Sequence, residues 1–356
     1  MHAEIYRKLQ EHLNLLPIGF PRTGHGAELE VLEHLFDQEE AGAFLHLSPA
    51  PETAEAIAAR TQADPEKLAK LLERMAAKGL VLRSRSKGTY RMIPFMPGIY
   101  EFQLKRMDKE LALAFEEVYP DLAREAFSSP TPFTRVVPVE SSLPIGIEVL
   151  PYECASEVVR AAGTVALADC LCRKERKLVG GGCARPQDDL CIIFSPMAEQ
   201  YVDLGLGKMA TVEEALKAVR RGQDAGLVRT TLNVQSRPTF MCQCCSCCCG
   251  LLRGLSEFDI PTTVVRSRFI PGIEPELCNG CEACVQACPM DALTLVDEKA
   301  VLDAGRCIGC GLCVSECPLE AISLRLKPEP APAPPANFVE LMKTIALEKG
   351  KTYFYR

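Results

Sequence analysis

The sequence predicts an α+β protein of more than one domain, and three observations carry that expectation. Residues 27–96 read as helices followed by a pair of strands. All five histidines fall within the first 46 positions, whereas all 19 cysteines lie at or after Cys154, so the chain changes character partway along. A cysteine pattern then occurs twice, at 278–289 and at 307–318, an internal repeat that argues for a self-contained unit. A chain of 356 residues is long enough for two or three domains with a sizeable core.

Residues 1–26 form an N-terminal segment. Its start, MHAEIYRKLQEHLNLLP, has no apolar core of the signal-peptide kind. No apolar run reaches the roughly 18 residues needed to cross a bilayer, so a membrane span is not expected and a cytoplasmic location is. In a reducing cytosol, clustered thiols bind metal or do redox work more often than they form disulfides. A net charge of −7 argues against broad affinity for nucleic acid or anionic lipid.

Within 27–96, DPEKLAKLLERMAAKGL carries the clearest helix signals: Asp64 as N-cap, Pro65 in the first turn and Gly79 as the stop, with Leu68, Leu71, Leu72 and Met75 at helical spacing. LVLRSRSKGTYRMIPF reads as two strands around a turn at 86–88. Helices followed by a hairpin resemble a winged helix, with Arg83, Arg85, Lys87 and Arg91 as a basic wing. Yet residues 26–95 hold nine Lys and Arg against eleven Asp and Glu, too acidic a balance for a phosphate-binding surface. A docking or dimerisation module is the reading preferred for this domain, and nucleic acid is not expected as a partner.

Residues 97–146 read as a helical and proline-rich connector. Residues 147–256 form an α/β cysteine-rich domain that includes TVEEALKAVRRGQDAGL, where Thr211 and Glu214 are set as a capping box. Residues 268–327 are the repeat unit, 328–338 a proline-rich linker expected to be extended, and 339–356 a C-terminal helix.

The repeat reads CNGCEACVQACP and CIGCGLCVSECP, both C-x2-C-x2-C-x3-C-P, followed by MDALTLV and LEAISLR. This resembles bacterial-type two-cluster ferredoxins. The resemblance implies a two-cluster ferredoxin-like domain with crossed ligation. One [4Fe–4S] cluster would take Cys278, Cys281, Cys284 and Cys317, the other Cys288, Cys307, Cys310 and Cys313. Gly280, Gly309 and Gly311 would let the backbone approach the inorganic core. Paired zinc ribbons use separated CxxC pairs instead.

Eleven cysteines remain in the middle domain: Cys154 by itself, Cys170, Cys172, Cys183 and Cys191, then Cys242, Cys244, Cys245, Cys247, Cys248 and Cys249 within eight positions. With no histidine nearby, any site here is all-thiolate. As a strand, the run puts 242, 244 and 248 on one face and 245, 247 and 249 on the other. As a helix it groups 242, 245 and 249 against 244, 247 and 248. Either way it splits three and three and serves two sites, completed by upstream thiolates in a division the sequence leaves open. One or two further iron–sulfur clusters are the favoured cargo, with all-cysteine zinc or a reactive dithiol beside it. Arg173, Lys174, Arg176 and Lys177 supply cations next to Cys172, and the glycines of VGGGC supply flexible backbone. Cys154 is read as a buried, inert thiol.

CLCR, CARPQDDLC, CQCCSCCC and the two ferredoxin motifs, after a winged-helix-like start, together resemble a group of winged-helix and ferredoxin-domain iron–sulfur proteins of anaerobes. That resemblance implies a multi-cluster electron-transfer protein passing low-potential electrons to or from a partner oxidoreductase. A redox-sensing winged-helix transcription regulator and a reductase with a catalytic cluster or dithiol in the middle domain are the alternatives. No phosphate loop, dinucleotide fingerprint or catalytic triad is present, so no catalytic residues are expected outside the cysteines.

Overall fold

The computed structural model describes residues 2–351 apart from 145, 147 and 330. Residues 352–356 of the expected C-terminal helix, and residue 147 at the expected start of the cysteine-rich domain, lie outside the described residues. Helix α1 (His2–Asn14) is followed by α2 (Ala27–Leu35), α3 (Gln38–Phe44), strand β1 (Glu52–Thr53), α4 (Ala54–Thr61), α5 (Pro65–Ala77) and the hairpin β2 (Leu82–Ser84) and β3 (Thr89–Arg91). Local chemistry sets the boundaries. Asp37 and Glu40 close a capping box on α3. Asp64 accepts from the Glu66 and Lys67 amides to start α5. The two-residue β1, which carries too little pattern to be seen in the sequence, makes the sheet three-stranded and antiparallel in the order β1–β3–β2. In the connector expected over 97–146 the long helix is α6 (Lys109–Ala126), capped by Asp108. Upstream of it the backbone is non-helical at Met96, Pro97 and Gly98.

The centre of the molecule is a seven-stranded sheet. Its strands are β4 (Thr134–Val137), β5 (Val165–Ala168), β6 (Cys191–Phe194), β7 (Gly207–Ala210), β8 (Val228–Leu232), β9 (Phe240–Cys244) and β10 (Val264–Val265), in the order β10-β4-β8-β9-β6-β5-β7. All pairs are antiparallel except β10 with β4. The sheet thus reaches beyond 147–256 on both sides, taking β4 from the expected connector. Every residue of β4 is buried, so TRVV shows no polar alternation to betray a strand.

Five helices accompany the sheet: α7 (Ala155–Ala161), α8 (Leu171–Leu178), α9 (Met197–Asp203), α10 (Val212–Asp224) and α11 (Gly250–Ser256). Thr211 and Glu214 cap α10 reciprocally, as its sequence requires. α7 and α10 cover one sheet face, where Val165, Leu167, Ile192, Phe194 and Met241 meet Val159 and Ala215. Ala166, Ala168 and Ile193 on the opposite face join the core of the N-terminal helices. Because strand side chains alternate, Cys191, Cys242 and Cys244 belong to this second face.

The repeat unit pairs β11 (Phe269–Ile273) with β14 (Ile322–Leu326), and β12 (Leu293–Val296) with β13 (Lys299–Leu302), all antiparallel. Short helices α12 (Ala283–Ala287) and α13 (Leu312–Ser315) carry the third cysteine of each motif, Cys284 and Cys313. The unit is bonded to the sheet domain by Val139 N–H to Cys310 O at 2.8 Å and Ser267 N–H to Ile308 O at 3.1 Å.

The proline-rich linker is not a free spacer. Gln235 and Ser236 donate backbone N–H groups to Pro335 and Ala336, which delivers α14 (Phe338–Glu348) onto the first core. Leu341, Met342 and Ile345 bury there alongside Leu9 and Leu13, and Lys351 Nζ meets Glu125 at 2.5 Å.

Arg83 and Arg85 of the expected basic hairpin are committed within the chain. Arg83 pairs with Glu73 and, at 3.7 Å, with Asp203. Arg85 pairs with Asp203 at 2.8 Å, and Arg91 lines an internal cavity.

Candidate metal centres

The repeat unit gathers its cysteines across the two motifs. Cys278, Cys281 and Cys284 line one small cavity with Cys317 from the second motif. Cys288, from the first motif, instead lies with Cys307 and Cys310 at the domain boundary. Burial pushes the Cys310 thiol up to about 12, and the neighbouring Cys288 and Cys307 add to it. Backbone N–H groups of Ala300, Ala292 and Gly309 point at Cys278, Cys288 and Cys307 sulfurs at 3.2–3.4 Å. Gly280 and Gly309 are required by the packing of the protein itself. Both have left-handed φ, and a Cβ would meet Glu298 O at 2.7 Å in the first case and Phe269 O at 2.3 Å in the second.

Ten of the eleven middle cysteines sort into six and four. β9 ends at Cys244, and the chain turns through 245–249 before α11 starts. Neither a continuous strand nor a continuous helix describes the run. It does split three and three, but as 242, 244 and 249 against 245, 247 and 248.

The first set closes a ring with three upstream cysteines. Sulfur neighbours run Cys170–Cys172–Cys249–Cys244–Cys242–Cys191 and back to Cys170. Local structure explains each position. The β6–β9 register that sets Ile192 opposite Met241 brings Cys191 beside Cys242. Cys244 follows two residues on along the same face. Cys170 is the N-cap residue of α8, Cys172 lies in its first turn, and Cys249 is the N-cap residue of α11, where helix N-termini favour thiolates. Cys170 and Cys249 each have two ring thiols as neighbours, and the interaction with these holds both well below the usual thiol range. The second set is Cys183 with Cys245, Cys247 and Cys248, all four sulfurs within 4.8 Å of one another. Cys154 belongs to neither. It is half-buried rather than buried and sits 3.4 Å from Ser156 Oγ.

One of the four expected cations reaches the thiols. Arg173 is 1% exposed. Its guanidinium acts on Cys170 and Cys244 of the ring and on Cys245 of the quartet, while Nη2 donates to Gln243 O at 2.8 Å. Its Nε and Nη1 are buried without a hydrogen-bond partner among the described residues. Such donors are costly to orphan, and the charges they face are the thiols of Cys170, Cys244 and Cys245. Lys174 instead donates to Leu104 O, Arg176 pairs with Glu116 at 2.6 Å, and Lys177 reaches Gln187.

All six ring cysteines line a cavity of about 720 Å³, walled also by Tyr100, Tyr119, Glu101, Glu175 and α14. Burial first, then the charge of Glu116, pushes the Glu175 carboxyl up to about 9. Burial acts on Glu116 too, yet Arg253 and Arg176 hold it below its ordinary value. Burial alone pushes Glu101 up to about 7, against the hydrogen bond from Gly98 N–H. Tyr119 Oη donates to Gly250 O at 2.5 Å, beside Cys249. Sequence reading missed Tyr119, Glu116 and Glu175, which sit in ordinary helical patterns and join the site only through the fold.

A family profile for the 4Fe-4S dicluster domain matches residues 270–318. No curated protein and no solved structure matches the chain. The C-terminal unit is thereby a ferredoxin-type iron–sulfur domain, and with the further cysteine groups it fits an iron–sulfur electron-transfer role. Among the described residues, no helix is long and apolar enough to cross a membrane.

Proposed function

We propose that the protein is a multi-cluster electron carrier that exchanges low-potential electrons with a partner oxidoreductase in anaerobic metabolism. In this reading Cys278, Cys281, Cys284 and Cys317 hold one [4Fe–4S] cluster, and Cys288, Cys307, Cys310 and Cys313 a second. The six-cysteine ring holds a further iron–sulfur cofactor. When bound, these groups supply one-electron redox chemistry, and the chain supplies thiolates, spacing and shielding from water.

The observation that carries the proposal is one continuous apolar cluster. It contains Cys244 and Cys249 of the ring together with Cys307, and Cys242, Cys288 and Cys310 pack against it. Cys281, by contrast, is exposed. The order from solvent inward is therefore the Cys281 site, the Cys307 site and then the ring, a path with a docking end and a buried end. The winged-helix reading of 27–96 is supported by its element order and its β1–β3–β2 sheet. The internal ion pairs of Arg83 and Arg85 favour a docking module over a DNA reader.

Anaerobic reconstitution of the full chain should give about eight iron and eight sulfide from the repeat unit, with more from the ring and a paramagnetic signal on reduction. A chain that takes up about four iron or fewer would sink the proposal. Arg173→Met removes the cation beside Cys170 and Cys244. A charge-assisted hydrogen bond is worth roughly 1.5–3 kcal/mol, about 65–130 mV for a one-electron couple. Only the difference in that interaction between oxidation states moves the potential, and a cation favours the reduced form. The ring's midpoint potential should therefore fall by up to that amount in a dye-mediated titration, and an unchanged potential refutes the role given to Arg173.

A second reading, a reductase, is favoured by the cavity, whose volume lies in the range of roughly 300–1,000 Å³ that small-molecule sites occupy. It is distinguished by ring Cys→Ser variants that abolish turnover of a small substrate while iron content holds.

A further inference from the structure

We infer that Cys183, Cys245, Cys247 and Cys248 hold a single tetrahedral zinc ion, separate from the ring and from the ferredoxin-type sites. The sulfur separations carry this. Cys183 lies 3.8 Å from Cys245 and 3.9 Å from Cys248, and Cys248 lies 3.8 Å from Cys247. A Zn–S bond is about 2.3 Å, and a regular tetrahedron with that arm has edges of about 3.8 Å. Around a cubane each thiolate stands on its own iron, so the sulfurs spread further apart.

The chain provides its own comparison. Among the described residues, no other group of three or more Cys, His, Asp or Glu brings its ligand atoms within 4.8 Å of one another. The two quartets of the repeat unit do not, and neither does the ring. One thiolate set is drawn in to the dimensions of one ion, and the rest stay open.

Cys245 and Cys248 are buried against Leu190 and Leu227 and also line the ring's cavity, and four protein thiolates leave a tetrahedral ion no open position. Arg173 offsets part of the excess negative charge from the ring side. The ion would clasp the glycine loop ending at Cys183 to the turn between β9 and α11. That turn is what divides the cysteine run, so the clasp commits Cys245, Cys247 and Cys248 to the ion, with Cys245 and Cys248 still lining the ring's cavity. The inference takes from the proposed function only that iron resides in the ring and the repeat unit.

The test is zinc and iron analysis of the anaerobically purified full chain, with zinc K-edge absorption on the same sample. We expect one zinc per chain, with a sulfur-only shell at about 2.3 Å and no metal neighbour. Cys183→Ser should lower zinc at least tenfold with iron and sulfide unchanged. Cys183→His should retain zinc as a Cys3His site, which guards against a mere folding failure. Zinc-free wild-type protein, a metal–metal shell in the spectrum, or loss of about four iron from Cys183→Ser would overturn the assignment. Iron-free protein that still holds one zinc would strike the electron-transfer reading and leave this one standing.

Discussion

Cys249→Ser should strip the ring of its cofactor and leave the repeat unit loaded. Cys249 adjoins both Cys172 on α8 and Cys244 on β9, so it bridges the two halves of the ring. A serine hydroxyl is a far poorer soft-metal ligand than a thiolate. The substitution is also clean in folding terms. Position 249 is the N-cap of α11, and serine is among the best N-cap residues, so the helix start survives the loss of the ligand. If the ring carries a four-iron cluster, iron should fall from about twelve to about eight per chain, with the signal of the repeat unit intact. Unchanged iron in Cys249→Ser would remove the ring as a cluster site.

Cys317→Ser should cost iron at the first motif, although the residue belongs to the second. Cys317 shares its cavity with Cys278, Cys281 and Cys284, whereas Cys307 and Cys310 lie on the domain boundary with Cys288. The expected result is loss of about four iron and collapse of any spin coupling between the two clusters to a single uncoupled signal. Cys288→Ser should give the complementary loss, from the buried site. A Cys317→Ser protein that keeps its outer cluster and loses the one against the sheet would mean that each motif ligates its own cluster.

What was legible in the sequence divides along a physical line. Local signals carried through: Asp64 and Pro65 at α5, the Thr211–Glu214 box at α10, and the two cysteine motifs, all readable within a few residues. Signals that depend on what packs outside an element did not. β4 is buried on both faces and shows no period, and β1 is two residues long. The six-cysteine run illustrates both cases. Its three-and-three split was legible because any backbone period divides it. Its membership was not, because the strand stops at Cys244 and a turn brings Cys249 back to the ring. Arg173 could be nominated as one of four cations, but only the packing of α8 against β9 selects it over Lys174, Arg176 and Lys177.

The docking of α14 has a consequence for how the molecule is made. Phe338, Val339 and Met342 form part of the cavity wall, whereas the ring comes from residues 170–249. Synthesis therefore completes the ligand set well before it completes the enclosure. During that interval the thiols face an open side through which a preassembled inorganic core could be delivered. Once the Pro335 and Ala336 carbonyls are bonded to Gln235 and Ser236, α14 walls that side. Loading and closing are thus separated in time by the order of the chain itself.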